Sequence, residues 1–264
     1  MILFPPPIEA KFTRAQEFII ELAAAEAEYR ASRPISVGHR IDPINGRVEY
    51  FIESVQPIPD QLPVVLGDAL NQLVSSLDHV ATHLVERTGH VSASRPKRVQ
   101  FPIVGSEQDF DRKVTLMMPD VPASTISAIR SLTPWKGASD LWTLKEANNE
   151  SKHRNLLHVE HGKAGLDVLS LRGIREATAR HLRIPLDQVQ LPGLSFFTGA
   201  AAVAEAGTWI FSTSVDEPPD DGVQCDCWLA VEVSRAGTRV ELATQVKRWL
   251  AAMNRAVRVL APLV

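Results

Sequence analysis

Leu66-Gly67-Asp68-Ala69-Leu70-Asn71-Gln72-Leu73-Val74-Ser75-Ser76-Leu77-Asp78-His79-Val80-Ala81-Thr82-His83-Leu84 is the stretch that decides the fold. Leu66, Leu70, Leu73, Leu77, Val80 and Leu84 recur at steps of three and four, the period of a helix with one apolar face. The pattern predicts a helix over about Gln61 to Arg87, between the break at Pro57 to Asp60 and Gly89, a suitable stop. Such a face needs other helices to cover it.

Upstream, Ile8, Phe12, Ala15, Ile19, Leu22 and Ala23 form one apolar stripe, which predicts a helix from about Ile8 to Ala31. Pro34 ends it, since proline pushes its predecessor out of the α region. Ile35, Val37, His39 and Ile41 then alternate with Ser36, Gly38 and Arg40, and Val48, Tyr50 and Ile52 alternate beyond Asn45-Gly46. This is a hairpin pattern with a loop longer than two residues.

Downstream, His90 to Met118 reads as irregular, with Phe101-Pro102-Ile103 as a buried extended piece and Arg95, Lys97 and Arg98 as a short basic run. A short helix opens at Pro122 and ends at Pro134-Trp135. A longer one is expected from about Ser139 to His158, capped by Ser139 or Asp140. From Val159 to Val240 the chain reads as β-rich, with strands at Trp209 and Cys227 and a loop at Pro218 to Gly222. Leu242, Val246, Trp249, Leu250, Met253, Val257 and Leu260 close the chain as an amphipathic helix. The expected architecture is one α+β domain over residues 1–264. Its helical-bundle core of four to five helices draws on about 8–33, 60–88, 122–158 and 241–261. A β-hairpin is inserted, and a β-rich insert of about 159–240 precedes the C-terminal helix.

Composition narrows the function classes. The 264 residues are 45% hydrophobic and 22% charged, which excludes a disordered chain. The formal net charge is −3, so nucleic acid or anionic lipid could be held only by a local patch. No run approaches twenty apolar residues, so no membrane association is expected. Met1 to Pro7 lacks a basic n-region and an apolar core, so no signal peptide is expected, and a cytoplasmic location is the default. Two cysteines, Cys225 and Cys227, cannot build a disulfide framework.

Chemistry concentrates in two places. His79 and His83 are four apart on one helical face and could ligate a metal, but two histidines supply half a tetrahedral site, so no metal and no cofactor are expected. Cys225-Asp226-Cys227 puts two thiols on one strand face without a complementary pair. The more informative segment is Asn148-Asn149-Glu150-Ser151-Lys152-His153-Arg154-Asn155, a polar block inside an amphipathic helix. If that helix packs beside the one carrying Asp78 and His79, these groups could hold phosphate or position an imidazole for acid–base work. The bland reading is a solvated face, or a network in which Asp78 pairs with Arg154 or Lys152 and sets helix register.

Two stretches resemble a little-characterised bacterial family whose members carry Gly-Asp-x-x-His-Asn-Leu-Arg-Ser-Ala-Leu-Asp-His and, much later, Asn-x-x-Asp-Lys-His-Arg. Here they read Gly67 to His79 and Asn149-Glu150-Ser151-Lys152-His153-Arg154. Phe101-Pro102-Ile103, Leu132-Thr133-Pro134-Trp135 and Arg14-Ala15 fit as well, so the resemblance covers about residues 8–160. The family's Arg-x4-His spacing is similar to the signature of HEPN proteins. These are helical bundles, often dimeric, many of them metal-independent ribonucleases. The resemblance implies a HEPN-like bundle and a homodimer, with RNA or a nucleotide as ligand and scope for a protein partner. His79, Asp78 and His153 would be the catalytic candidates, and Lys152, Arg154 and Asn149 the phosphate-binding ones. The chain departs from the pattern at Val74, which stands in place of the arginine, and at Asn71 and Gln72, which replace His-Asn. A valine cannot hydrogen-bond phosphate, so the implied ribonuclease activity is weak or lost. The alternatives from other classes are a non-enzymatic interaction or ligand-binding module, and a metal-dependent enzyme using His79, His83 and His153.

Overall fold

The stretch quoted above forms α2 (Gln61–Glu86), and fourteen of its residues are buried, from Leu62 to Val85. Even Ser76 is fully enclosed, its hydroxyl donating to the Leu73 carbonyl at 2.7 Å so that no donor is stranded. The computed structural model describes residues 4–88, 99–118, 120–133, 135, 139–153, 157–166, 176, 179, 183, 185, 205–214, 223, 225–232 and 239–264. Within these the protein is a mixed α+β chain. Its elements in order are α1 (Pro6–Ala31), β1 (Ile35–Asp42), β2 (Arg47–Val55), α2, α3 (Glu107–Met117), α4 (Ala123–Arg130), α5 (Ser139–His153), β3 (Val159–Leu166), β4 (Trp209–Ser214), β5 (Cys225–Glu232), β6 (Arg239–Glu241) and α6 (Leu242–Leu260). The chain divides into two compact units, Met1–Ala24 with Asp60–Val159 and Val231–Val264, and Ala25–Pro59 with Glu160–Ala230.

The first unit is helical. α2 packs along α5, and α5 along α6. Gly67 lies against α5: a Cβ there would land on the Ser151 hydroxyl. Trp249 of α6 is fully buried, and its indole N–H donates to the Thr143 hydroxyl of α5 at 3.1 Å. The Arg87 guanidinium, just beyond α2, donates to the carbonyls of Leu263 and Val264 and ties down the chain end.

Two expectations shift here. The segment read as irregular contains α3. Ser106 caps it, accepting the Asp109 N–H at 3.2 Å, and fully buried Phe110 anchors it. Phe110, Val114 and Met117 recur at steps of four and three, and Ser106-Glu107-Gln108-Asp109 carries the capping signal, so both marks of this short helix stood in the sequence. Arg130 of α4 stacks on the Phe110 ring, 4.7 Å from its centroid, and pairs with Glu107 at 2.9 Å and with Asp111. The second shift is in α5, which is helical to His153 rather than His158. Leu157 and His158 are no longer helical, and the His158 carbonyl accepts the Glu232 N–H at 3.4 Å as the chain enters β3.

The second unit holds the expected hairpin. β1 and β2 pair antiparallel from Ile35↔Val55 to Asp42↔Arg47, and β4 adds to the far side of β2. Val48, Tyr50 and Ile52 are the buried face of β2. The loop uses its turn chemistry as read: Asp42 Oδ1 accepts the N–H groups of Ile44 and Asn45, and Gly46 takes φ +60°. The Pro218 to Gly222 loop and the Arg95 to Arg98 basic run lie outside the described residues.

Candidate functional site

Phe101-Pro102-Ile103 is buried, as its composition suggested, but it is a tight turn rather than an extended piece, the Ile103 N–H donating to the Phe101 carbonyl at 2.8 Å, and two side chains of the helices hold it. Asp78 of α2 accepts the Phe101 N–H through Oδ1 at 2.8 Å. Lys145 of α5 donates from Nζ to the Ile103 carbonyl at 2.5 Å. The turn leaves the Phe101 N–H and the Ile103 carbonyl outside its own hydrogen bond, so side chains satisfy them.

The electrostatics follow from this half-buried setting. Burial pushes the Asp78 carboxyl above its ordinary value, while the Phe101 N–H and the charges of Lys113, Lys145 and Lys152 pull the other way. Burial is also the main reason the Lys145 ammonium falls to about 8, followed by the charge and close amine of Lys113; Asp78 and Glu146 oppose the fall. Thus Lys113 from α3 and Lys145 and Lys152 from α5 face one carboxylate on α2. Balanced against Asp78 and Glu146, the cluster keeps a net positive charge in a chain whose overall charge is negative.

The residues singled out from sequence are distributed as follows. His79 follows Asp78 and is exposed, and His83, one turn on, is half-buried. Lys152 is exposed at the end of α5, and Asn149 is half-buried on it. Asn148, its neighbour, is the enclosed one at 2% exposure, and its Oδ1 finds no hydrogen-bond partner among the described residues. His153 closes α5, but its side chain, like all of Arg154, lies outside the described residues. Val74 is buried on α2, an apolar core position rather than a solvent-facing one. Asp78 makes no ion pair within 4 Å among the described residues and is engaged by backbone instead, so the register-setting pair with Lys152 does not form. Cys225 is buried, and the Cys227 side chain lies outside the described residues. Among the described residues no three His, Cys, Asp or Glu side chains converge in a way that could hold a metal.

Sequence reasoning missed Lys113 and Lys145. Lys113 sits on the helix that was not foreseen. Lys145 precedes the polar block by one turn and lies two turns from Lys152, close to the same face of α5. That spacing was the available signal. A separate groove of about 450 Å³ runs beside α3 and α4, lined by Val114, Met118, Val121, Ile126 and Arg130 among others, and contains none of the sequence-predicted residues. No helix among the described residues is long and apolar enough to cross a membrane.

Compared with known proteins, the chain matches no family model, no curated protein and no solved structure.

Proposed function

We propose that this is a HEPN-like helical-bundle protein that binds RNA or a nucleotide as a homodimer, with weak or lost metal-independent ribonuclease activity. The observation that carries the reading is the set of three lysines, Lys113, Lys145 and Lys152, from two helices, facing Asp78 beside exposed His79. Ammonium groups gathered at a half-buried carboxylate are a site for phosphate oxygens, and an exposed imidazole next to them can accept and return a proton. His79 is the acid–base candidate, Asp78 holds the adjoining chain segment, and Lys152 with Lys113 receives phosphate. Asn149 extends the same site in this reading, while the His153 side chain and Arg154, also candidates from the sequence, lie outside the described residues. The feature that limits catalysis is Val74. It is apolar and buried where the signature calls for a guanidinium, so no charge at that position offsets a developing phosphorane.

The test is RNA binding and RNA cleavage measured side by side, in EDTA. Wild type should bind a single-stranded RNA pool with an affinity that falls as salt rises. Lys152→Ala should weaken binding and flatten the salt dependence by about 0.7 in logarithmic slope, one phosphate contact's worth on a single strand. Any cleavage should be slow and should vanish in His79→Ala. Folded wild type that binds neither RNA nor mononucleotides at low salt would overturn the reading.

A further inference from the structure

The tip of the β1–β2 hairpin carries the chain's one Asn-Gly pair, Asn45-Gly46, and both residues are exposed. Asp42 and Arg47, the last pair of the ladder, close the loop that holds them. Gly46 has no side chain to shield its nitrogen, and a Cβ there would meet nothing within 4 Å, so the space around it is open. The Asn45 amide is tied down beside it. Its Nδ2 donates to Asp42 Oδ2 at 2.7 Å, while Asp42 Oδ1 accepts the N–H groups of Ile44 at 3.0 Å and Asn45 at 3.2 Å. The side chain is thus bonded to the residue three places before it, not to the nitrogen that follows it. We propose that Asn45 is a self-modification site, where the Gly46 backbone nitrogen closes a succinimide ring on the Asn45 side chain with release of ammonia, and that Asp42 restrains this reaction.

The chemistry needs only water. Hydroxide takes the Gly46 N–H proton, and the nitrogen attacks Asn45 Cγ, closing a five-membered ring. The bond from Cγ to Nδ2 breaks. Its electron pair leaves with the nitrogen, which takes a proton from water and departs as ammonia. A second water then opens the ring. Breaking the new bond to Cγ gives aspartate; breaking the bond to the main-chain carbonyl carbon gives isoaspartate, whose chain runs through the side chain. The sum is asparagine plus water going to a carboxylic acid plus ammonia, and nothing is oxidised or reduced. Nucleophile and electrophile are neighbours in one chain, so no encounter is needed. Ring closure must first break the charge-assisted bond to Asp42. The Asn45 side chain's hydrogen bond holds the Asp42 carboxyl below its ordinary value, so Asp42 is ionised and grips the amide without offering the leaving nitrogen a proton. After the reaction a second carboxylate faces Asp42 where an N–H donor stood, and a chain of net charge −3 gains one more negative charge. The isoaspartate form also adds one backbone atom to the loop between Asp42 and Arg47. Both changes loosen the end of the hairpin. This inference rests on the hairpin alone and stands whether or not the protein binds RNA.

The experiment is ageing of the full chain at 37 °C and pH 8, followed by peptide mass spectrometry that reads the gain of one mass unit at each asparagine against time. Enzymatic methylation of isoaspartate identifies the rearranged product. Asn254, exposed on α6, is the internal reference, because the nitrogen after it is held in helical backbone geometry. Asn45 should convert steadily, with isoaspartate appearing at that position, while Asn254 stays intact. Asp42→Ala should speed conversion of Asn45 about tenfold, the effect of losing one charge-assisted hydrogen bond. Asp42→Asn, which keeps an uncharged acceptor, should fall between. Conversion of Asn45 no faster than that of Asn254 in folded wild type would overturn the proposal. An unchanged rate in both folded Asp42 variants would overturn the restraint assigned to Asp42.

Discussion

The Asp78 carboxylate accepts the backbone N–H of Phe101 at 2.8 Å, joining α2 to a turn outside the helices. Asp78→Leu leaves that N–H without a partner beside a buried ring, and should cost about 1–3 kcal/mol in chemical denaturation. Asp78→Asn keeps an acceptor and removes the buried charge. The folded carboxyl is raised above 3.8, so the folded state holds its proton more tightly than the unfolded state. The stability this confers is complete below pH 3.8 and is lost as pH rises through the folded value. Asp78→Asn should therefore gain on wild type as pH rises from 3.5 to 7. A constant difference across that range would show that burial does not govern this carboxyl.

Lys145 has the opposite sign. Its folded value of about 8 lies below its ordinary 10.5, so between these limits the unfolded chain binds more protons. Stability contributed by Lys145 should rise with pH across that window. Wild type should gain on Lys145→Met between pH 8 and pH 10, as read by denaturant midpoints at each pH.

Gly67 and Ser151 form a coupled pair. Gly67→Ala puts a methyl group against the Ser151 hydroxyl, which must turn to another rotamer, and should cost at most about 1 kcal/mol net of the better helix propensity of alanine. With Ser151→Ala the hydroxyl is gone. Gly67→Ala should then be neutral or stabilising by up to about 1 kcal/mol. A double-mutant cycle by urea unfolding reads the reversal directly.

Trp249 is the largest fully buried side chain of α6, and its indole is satisfied by Thr143. Trp249→Ala should cost about 3–5 kcal/mol. Thr143→Val preserves shape but strands the indole N–H, and should cost about 1–3 kcal/mol. Thermal unfolding followed by tryptophan fluorescence separates the two.

In the β unit, Tyr29 donates to the Gln56 carbonyl at 2.7 Å and lies 2.6 Å from His161 Nε2. Because the phenol proton is given to Gln56, the imidazole Nε2–H must be the donor toward Tyr29. Burial lowers His161 below 6.5, so the stability it confers is present above pH 6.5 and lost as pH falls through the folded value. His161→Gln should flatten the loss of stability between pH 7 and pH 5. An imidazole titration by NMR that sits at or above 6.5 would contradict the assignment.

What the sequence determined by itself is what short-range physics encodes. The leucine spacing around Asp78 set α2, the alternation at Val48, Tyr50 and Ile52 set β2 and its buried face, and Asp42 with Asn45-Gly46 set the turn between strands. Each depends on neighbours within a few residues, where backbone geometry dictates the period. The Asp78–His79 turn and the polar block at the end of α5 were legible for the same reason. The partners of Asp78 were decided only by tertiary structure. Its hydrogen bond goes to Phe101 rather than to Lys152, and its electrostatic neighbours include Lys113 on an unforeseen helix and Lys145 on an unremarked turn. Whether a charge is desolvated, and which other charges face it, depends on which helices pack together. In this protein α2 packs along α5, the helix that carries Lys145 and Lys152.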